Sequence, residues 1–296
     1  MHARTHILTA VCAALLLSSC TEESQSEMPI AVEADAVKVT LSSEGSGEKQ
    51  TLRFRPSAAD QQSTLVIDDG FHQTTSNGDE TPEETHTMTL PVTASAADSD
   101  GRKVTLVVGT PTYSDPALNS ELESAKDFTV TWQGQDTGRI SSLAFSAPPN
   151  ATDTARAATE RFLQHVINLP VVFPEEKVGQ GAKWDVESRV SGGSTLLQTT
   201  SYTVTSIQNN HVELDVTVEQ RPAVGALPVT GPNGEAMGDL TVLDATTKSN
   251  GTLNIDLDKP LPEGDVQFTT TVKYGGESDV TVTQTATTRV QYQPRS

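Results

Sequence analysis

The chain has 296 residues, 39 of them acidic against 20 basic, and a formal net charge of −19. A body this acidic repels phosphate backbones and anionic lipid headgroups, which excludes nucleic acid as a partner and excludes adsorption to a membrane through a basic patch. Aromatic residues make up only 4%, lean for one large core. Threonine is abundant, and β-branched threonine suits the wet face of a strand.

The N-terminus carries an apolar run from Ile7 to Leu17, preceded by Arg4 and closed by Leu17-Ser18-Ser19-Cys20. A basic start, a short apolar stretch and small residues before a cut site mark a secretory signal peptide. The run is about half the ~20 residues that a membrane-spanning helix needs. Cys12 lies inside this signal, so Cys20 would remain as the only cysteine of the exported body, without a disulfide partner. The Leu-Ser-Ser-Cys ending resembles the lipobox of bacterial lipoproteins. That resemblance implies diacylglyceryl modification of Cys20, cleavage before it, and an exported protein anchored to the outer face of the cell membrane. Two acyl chains on one residue suffice for stable anchoring.

Residues 1–19 are therefore read as a lipoprotein signal peptide and 20–35 as a flexible tether, since TEESQSEMPIAVEAD is polar, acidic and without pattern. Residues 36–149 form an N-terminal β half, and 150–296 a helix followed by a C-terminal β half.

From Ala36 onward the chain alternates with period two. Val37, Val39 and Leu41 share one parity, as do Leu52 and Phe54, and Phe128, Val130 and Trp132. The same holds for Trp184, Val186 and Val190, and most clearly for Val212, Leu214, Val216 and Val218. Leu253, Ile255 and Leu257 follow, then Val266, Phe268, Val272 and Tyr274, and finally Val280, Val282, Ala286, Val290 and Tyr292. Alternation of this length predicts antiparallel strands with one buried and one solvated face. The fold class is mainly β: long antiparallel strands in curved sheets or half-barrels, with one or two short packed helices.

Two segments break the alternation. Asp115 before Pro116 predicts a short helix with an aspartate cap and proline at its first position. Ala155, Ala158, Phe162 and Val166 fall at helical spacing and predict a helix from Thr152 to Ile167, stopping before Leu169-Pro170. Two stretches, 68–84 and 219–238, are predicted as long loops, the first acidic and disordered.

Leu169-Pro170, Phe173-Pro174, Val178-Gly179, Gly181-Ala182 and Trp184 form a segment that resembles one found in uncharacterised families of bacterial envelope lipoproteins, chiefly from actinobacteria. The resemblance covers the second half of the chain and implies kinship with proteins of unassigned function. In architecture the chain also resembles lipid-carrier lipoproteins of the LolA, LppX and LprG kind. That likeness implies a curved antiparallel sheet wrapped around helices and an apolar pocket.

Motifs of catalysis are missing from the sequence. There is no Gly-x-Ser-x-Gly and no His-Glu-x-x-His, and Ser191-Gly192-Gly193-Ser194 reads as a hairpin turn. Asp68, Asp69, His72 and His86 offer the atoms of a zinc site without the spacing of one. Asp98-Ser99-Asp100-Gly101 opens like a calcium loop, but Arg102 and Lys103 follow, so a β-turn explains it. Trp132 and Trp184 share parity with aliphatic neighbours and are expected in the core. No catalytic residue, metal or cofactor is expected, and the one assigned site is lipidation at Cys20. An enzyme would require His165 or His211 in a cleft beside an acid and a hydroxyl.

Two functions fit this reading. One is a non-enzymatic envelope lipoprotein that holds a lipid, glycolipid or other apolar ligand between the sheet and the central helix. The other is a structural or protein-interaction module of the envelope with a filled core. An internal cavity larger than about 300 Å³ separates the first from the second.

Overall fold

The computed structural model describes residues 31–56, 59–96, 102–191, 195–230, 236–276 and 281–295. The residues read as a signal peptide, Cys20 and the first part of the expected tether lie outside these residues, as does the Asp98–Gly101 stretch read as a turn.

Seventeen strands dominate the described residues. The N-terminal portion contributes β1 (Val32–Glu33), β2 (Lys38–Ser43), β3 (Ser46–Gln50), β4 (Gln61–Thr75), β5 (Glu84–Ala96), β6 (Lys103–Val108), β7 (Thr112–Tyr113), β8 (Thr129–Gly134) and β9 (Ile140–Ser146). The C-terminal portion contributes β10 (Val178–Gln180), β11 (Lys183–Ser191), β12 (Thr195–Gln208) and β13 (His211–Pro222). It ends with β14 (Ala226–Thr230), β15 (Ala236–Asp256), β16 (Glu263–Gly275) and β17 (Thr281–Pro294). All pairings are antiparallel, as period-two alternation requires.

Fifteen of these strands form one curved sheet in the order β1-β9-β8-β6-β5-β4-β17-β16-β15-β13-β12-β11-β2, with β7 and β14 as side branches. The two sequence halves thus share a sheet, joined where β17 pairs with β4 along thirteen registered residues. The ladder does not close into a barrel. Its two edge strands, β1 and β2, are nevertheless consecutive in sequence, joined by residues 34–37. At ~3.5 Å per residue that link is short, so the sheet must curl until its edges nearly meet. A separate two-stranded ribbon, β3 with β10, sits beside it.

The apolar parity of each strand points inward. Leu65, Ile67, Met88, Leu90, Val212, Leu214, Val216, Val266 and Val290 are buried in one continuous core. Inside the curve lies α2 (Asp153–Ile167), which turns Ala155, Phe162 and Leu163 to that core. Thr152 caps it, its Oγ1 accepting from the Ala155 N–H at 3.2 Å. The shorter α1 (Asn119–Leu122) is flanked by 3₁₀ turns, and the Asp115 carboxylate caps the first of them as expected. Among the described residues no helix is long and apolar enough to cross a membrane.

Three expectations are corrected. Most of 68–84 is strand: β4 runs to Thr75 and β5 starts at Glu84, leaving a hairpin connection braced by Thr75 N to Asp79 O and Thr81 N to Gln73 O. Its inward positions include Asp69 and Gln73, so the alternation is present but polar. Likewise β13 continues to Pro222, while β14 and the start of β15 occupy much of 219–238. Regular pairing also begins before Ala36, with Val32 opposite Leu143.

Behind α2 the chain runs from Asn168 to Pro174 across the inner face. Alternate carbonyls of this run are held by side chains from the sheet and its neighbours. Gln198 Nε2 donates to Asn168 O at 2.7 Å, Tyr202 Oη to Pro170 O at 2.9 Å, Trp184 Nε1 to Val172 O at 2.8 Å, and Arg53 Nη1 to Pro174 O at 3.0 Å. Pro170 and Pro174 have no N–H to satisfy, which is why such a segment can be buried without a strand partner.

Candidate functional site

Helix α2 does not cover the whole inner face. Between it and strands β4, β17, β16, β13, β12 and β11 lies a cleft of about 670 Å³. One wall is helical: Arg161, Gln164 and His165, with Asn168 at the helix end. The apolar part of the other wall is Val190, Leu196, Phe268, Val272, Tyr274 and Phe71. The remainder is polar, formed by Gln198, Gln220, Thr270, Gln284 and Thr288. A second space of about 480 Å³ lies at the sheet's open edge, under residues 32–37, and shares Gln164, Asn168 and Val190 with the cleft. A third, about 110 Å³ and largely apolar, lies by the end of α2 near Trp132 and Val166.

The polar floor has a structural origin. Strands β13 and β15 pair only from His211 to Asp215; beyond that point they splay apart. The N–H of Val218 is then met by Ser249 Oγ at 2.8 Å, and that of Gln220 by Thr247 Oγ1 at 3.0 Å. Hydroxyls replace carbonyls across the seam, because a buried N–H left unpaired is costly. Further bonds extend this bridge over the floor: Gln220 Nε2 to Gln198 Oε1 at 2.8 Å, Thr270 Oγ1 to Gln220 Oε1 at 2.8 Å, and Thr247 to Thr270 at 3.1 Å.

At one end of the cleft Arg161 Nη2 reaches Asp69 Oδ2 at 2.5 Å, and His165 Nε2 stands 3.6 Å from Asp69 Oδ1, an electrostatic contact longer than a hydrogen bond. Burial pushes the Asp69 carboxyl up. The neighbouring His165 and Arg161 outweigh it and hold that carboxyl below its ordinary value. An aromatic chain backs this end: His86 stacks on Tyr113, Tyr113 meets the edge of Phe162, and Phe162 meets His165.

Of the residues singled out from sequence, Asp69, His86 and His165 come together here. Asp69 is the register partner of His86. Asp68 sits on the opposite parity of β4, where it accepts from Thr87 Oγ1 at 2.7 Å, and His72 shares that outer parity. Among the described residues no group of three or more His, Cys, Asp or Glu side chains could hold a metal ion. His211 is exposed at the start of β13, away from the cleft. Trp184 is fully buried and stacks on Tyr202, as its parity predicts, whereas Trp132 is only partly buried. Gly192, Gly193 and Ser194, read as a hairpin turn, lie outside the described residues; the strands on either side, β11 and β12, pair with Ser191 opposite Thr195.

Sequence reading missed Arg161, Gln198, Gln220 and Thr270. A signal for the last three was present. Gln220 and Thr270 interrupt inward rows that are otherwise apolar, as in Val212, Leu214, Val216, Val218, Gln220, and Gln198 shares its inward row with Thr200, Tyr202 and Val204.

No protein-family model matches the chain, and no curated protein matches it. Among solved structures it is similar to one described as lipid–protein interactions in lipovitellin, at a TM-score of 0.41 and 13% identity. The match covers 81% of this chain and 25% of that one, so the chain spans a quarter of that protein's length. A likeness this distant carries no argument about function.

Proposed function

We propose that this protein is a non-enzymatic binding protein of the cell envelope that carries an amphipathic ligand, a lipid or glycolipid, in the cleft between α2 and the inner face of the sheet. The observation that supports it is the cleft itself. About 670 Å³ of space within a curved sheet lies in the range of small-molecule sites, and the filled core of a scaffold module would leave no such space. The ligand's apolar part would lie on Val190, Leu196, Phe268 and Val272 and its polar part on the glutamine–threonine floor. Lipidation at Cys20 would tether this body to the outer face of the membrane, where such a ligand is found.

Catalysis is the weaker reading. His165 stands beside an acid in the cleft, but Asp69 is already engaged by Arg161, and no nucleophile motif accompanies it in the sequence.

Native mass spectrometry of the protein, purified from its own host without detergent, tests the proposal. A bound mass that extracts into organic solvent is the expected result. A ligand-free mass that persists after incubation with total host lipid would overturn it.

A further inference from the structure

The hydrogen-bond chain on the cleft floor has a fixed direction. At one end the Asn168 carbonyl can only accept, so the Gln198 amide must present Nε2 to it, at 2.7 Å. Gln198 Oε1 therefore faces Gln220 and must receive a hydrogen from Gln220 Nε2, at 2.8 Å. Gln220 Oε1 in turn accepts from the Thr270 hydroxyl, at 2.8 Å. Thr270 has one hydrogen and has used it, so it can only accept across its 3.1 Å contact with Thr247, whose one hydrogen has two acceptors in reach: Thr270 Oγ1 and, at 3.3 Å, the Gln220 carbonyl. At the far end the Gln220 backbone N–H, which can only donate, gives to Thr247 Oγ1 at 3.0 Å. Both ends are anchored by backbone groups of fixed polarity. The two amides are oriented by logic that leaves no flipped alternative.

The inventory of donors then shows one left over. Gln198 commits both amide hydrogens, to Asn168 O and to Thr200 Oγ1 at 3.3 Å. Gln220 commits one of its two, and the second has no acceptor among the described residues. Gln220 is 8% exposed and lines the cleft. A ligand that displaces water from this wall must supply an acceptor for that hydrogen or bear the cost of leaving it unpaired, and a polar floor that splits a sheet needs no such surplus donor to close its seam.

We infer that Gln220 is a specificity-determining residue of the cleft, its second amide hydrogen receiving an uncharged acceptor oxygen of the ligand, such as an ester, amide or ketone carbonyl. A neutral acceptor fits better than a carboxylate or phosphate, because one donor does not compensate a buried charge. The nearest cation, Arg161, is already paired with Asp69. Phe268 and Val272 flank Thr270 on the same face of β16, so an alkyl chain leaving the carbonyl meets apolar surface at once. This inference rests on the cleft being a ligand site.

The test uses the full chain carrying Cys20→Ser, so that no acyl chain of its own competes, and two probes: methyl undecyl ketone and tridecane. Affinities for both are measured by displacement of an apolar fluorescent dye. Gln220→Met keeps the length of the side chain and removes the donor. It should lower the ketone-to-alkane affinity ratio about tenfold, the value of one hydrogen bond made in a buried site. Ser249→Ala removes a hydroxyl of the same seam, the one that meets Val218 N–H, at a residue outside the cleft lining, and should leave that ratio at the wild-type value, whatever it does to stability. An unchanged ratio in Gln220→Met, or an equal fall in Ser249→Ala, overturns the assignment. Failure of the wild-type chain to take up either probe removes the carrier reading itself, a distinct outcome.

Discussion

Val32 and Lys38 open opposite edge strands of one fifteen-stranded sheet, although only the residues between them in sequence separate the two edges. The N-terminal segment is therefore a strap across the sheet's open side. It is held by the pairing of Val32 with Leu143 and of Glu33 with Ser142, and by Ala34 N to Ser141 O at 3.0 Å.

A disulfide across that pairing should close the sheet covalently. Glu33 and Ser142 face each other at a position without mutual backbone bonds, where antiparallel Cα atoms lie about 4.5 Å apart, within disulfide range. Glu33→Cys with Ser142→Cys, in a chain whose only other cysteines are Cys12 and Cys20, should form spontaneously on oxidation. It is expected to stabilise the fold by about 2–4 kcal/mol, read as the difference between oxidised and reduced urea midpoints. Thiols that stay free under oxidant would show that the strap does not pair with β9.

Arg161→Ala leaves the Asp69 carboxylate half-buried beside His165 alone. The guanidinium is largely exposed, at 64%, so the cost is smaller than for a fully buried pair: about 1–2 kcal/mol by chemical denaturation. A loss below the error of the measurement would show that solvent already screens the pair.

The same carboxylate gives the fold an acid sensitivity of known sign. Its folded value is held below the unfolded one of about 4. The stabilisation is complete above that pH and is lost as pH falls through the lowered native value. Asp69→Asn removes this contribution. Its melting temperature should depend less on pH below about 4 than that of the wild type, and parallel curves would contradict the ion pair.

Trp184 is expected to be the costliest single position in the core. Phenylalanine there keeps the ring against Tyr202 but strips Val172 O of its donor, costing about 1–3 kcal/mol. Alanine adds a cavity and should cost about 3–5 kcal/mol. Equal urea midpoints for wild type and Trp184→Phe would mean that the carbonyl finds another partner.

Gly45 is the hinge between β2 and β3, with φ at +76°. A Cβ there would lie 2.6 Å from Ala182 N and from the carbonyls of Gly179 and Gln180. Strain and contact act together, so Gly45→Ala should destabilise by about 2–4 kcal/mol. Gly47, also at positive φ but with open space around a Cβ, should lose no more than about 1 kcal/mol on the same change.

The sequence by itself determined which face of each strand is buried. The parity of residues such as Val212, Leu214 and Val216 is a local property, and a one-residue slip would expose them all. It also determined both helices and their caps, since Asp115 and Thr152 act within a few residues of themselves. The expectation of no nucleic-acid partner likewise rests on composition alone.

Only the tertiary structure decided that both halves share one sheet, because pairing β17 with β4 joins residues as distant as Gln284 and Gln73. No local pattern specifies which strand will find which. The tertiary structure also decided the polar floor. Gln198, Gln220 and Thr270 read as polar residues on inward faces until the splay of β13 from β15 shows which backbone groups and side chains they must satisfy. A cleft is the space that packing leaves unfilled, set by the curvature of the whole sheet against the single helix inside it.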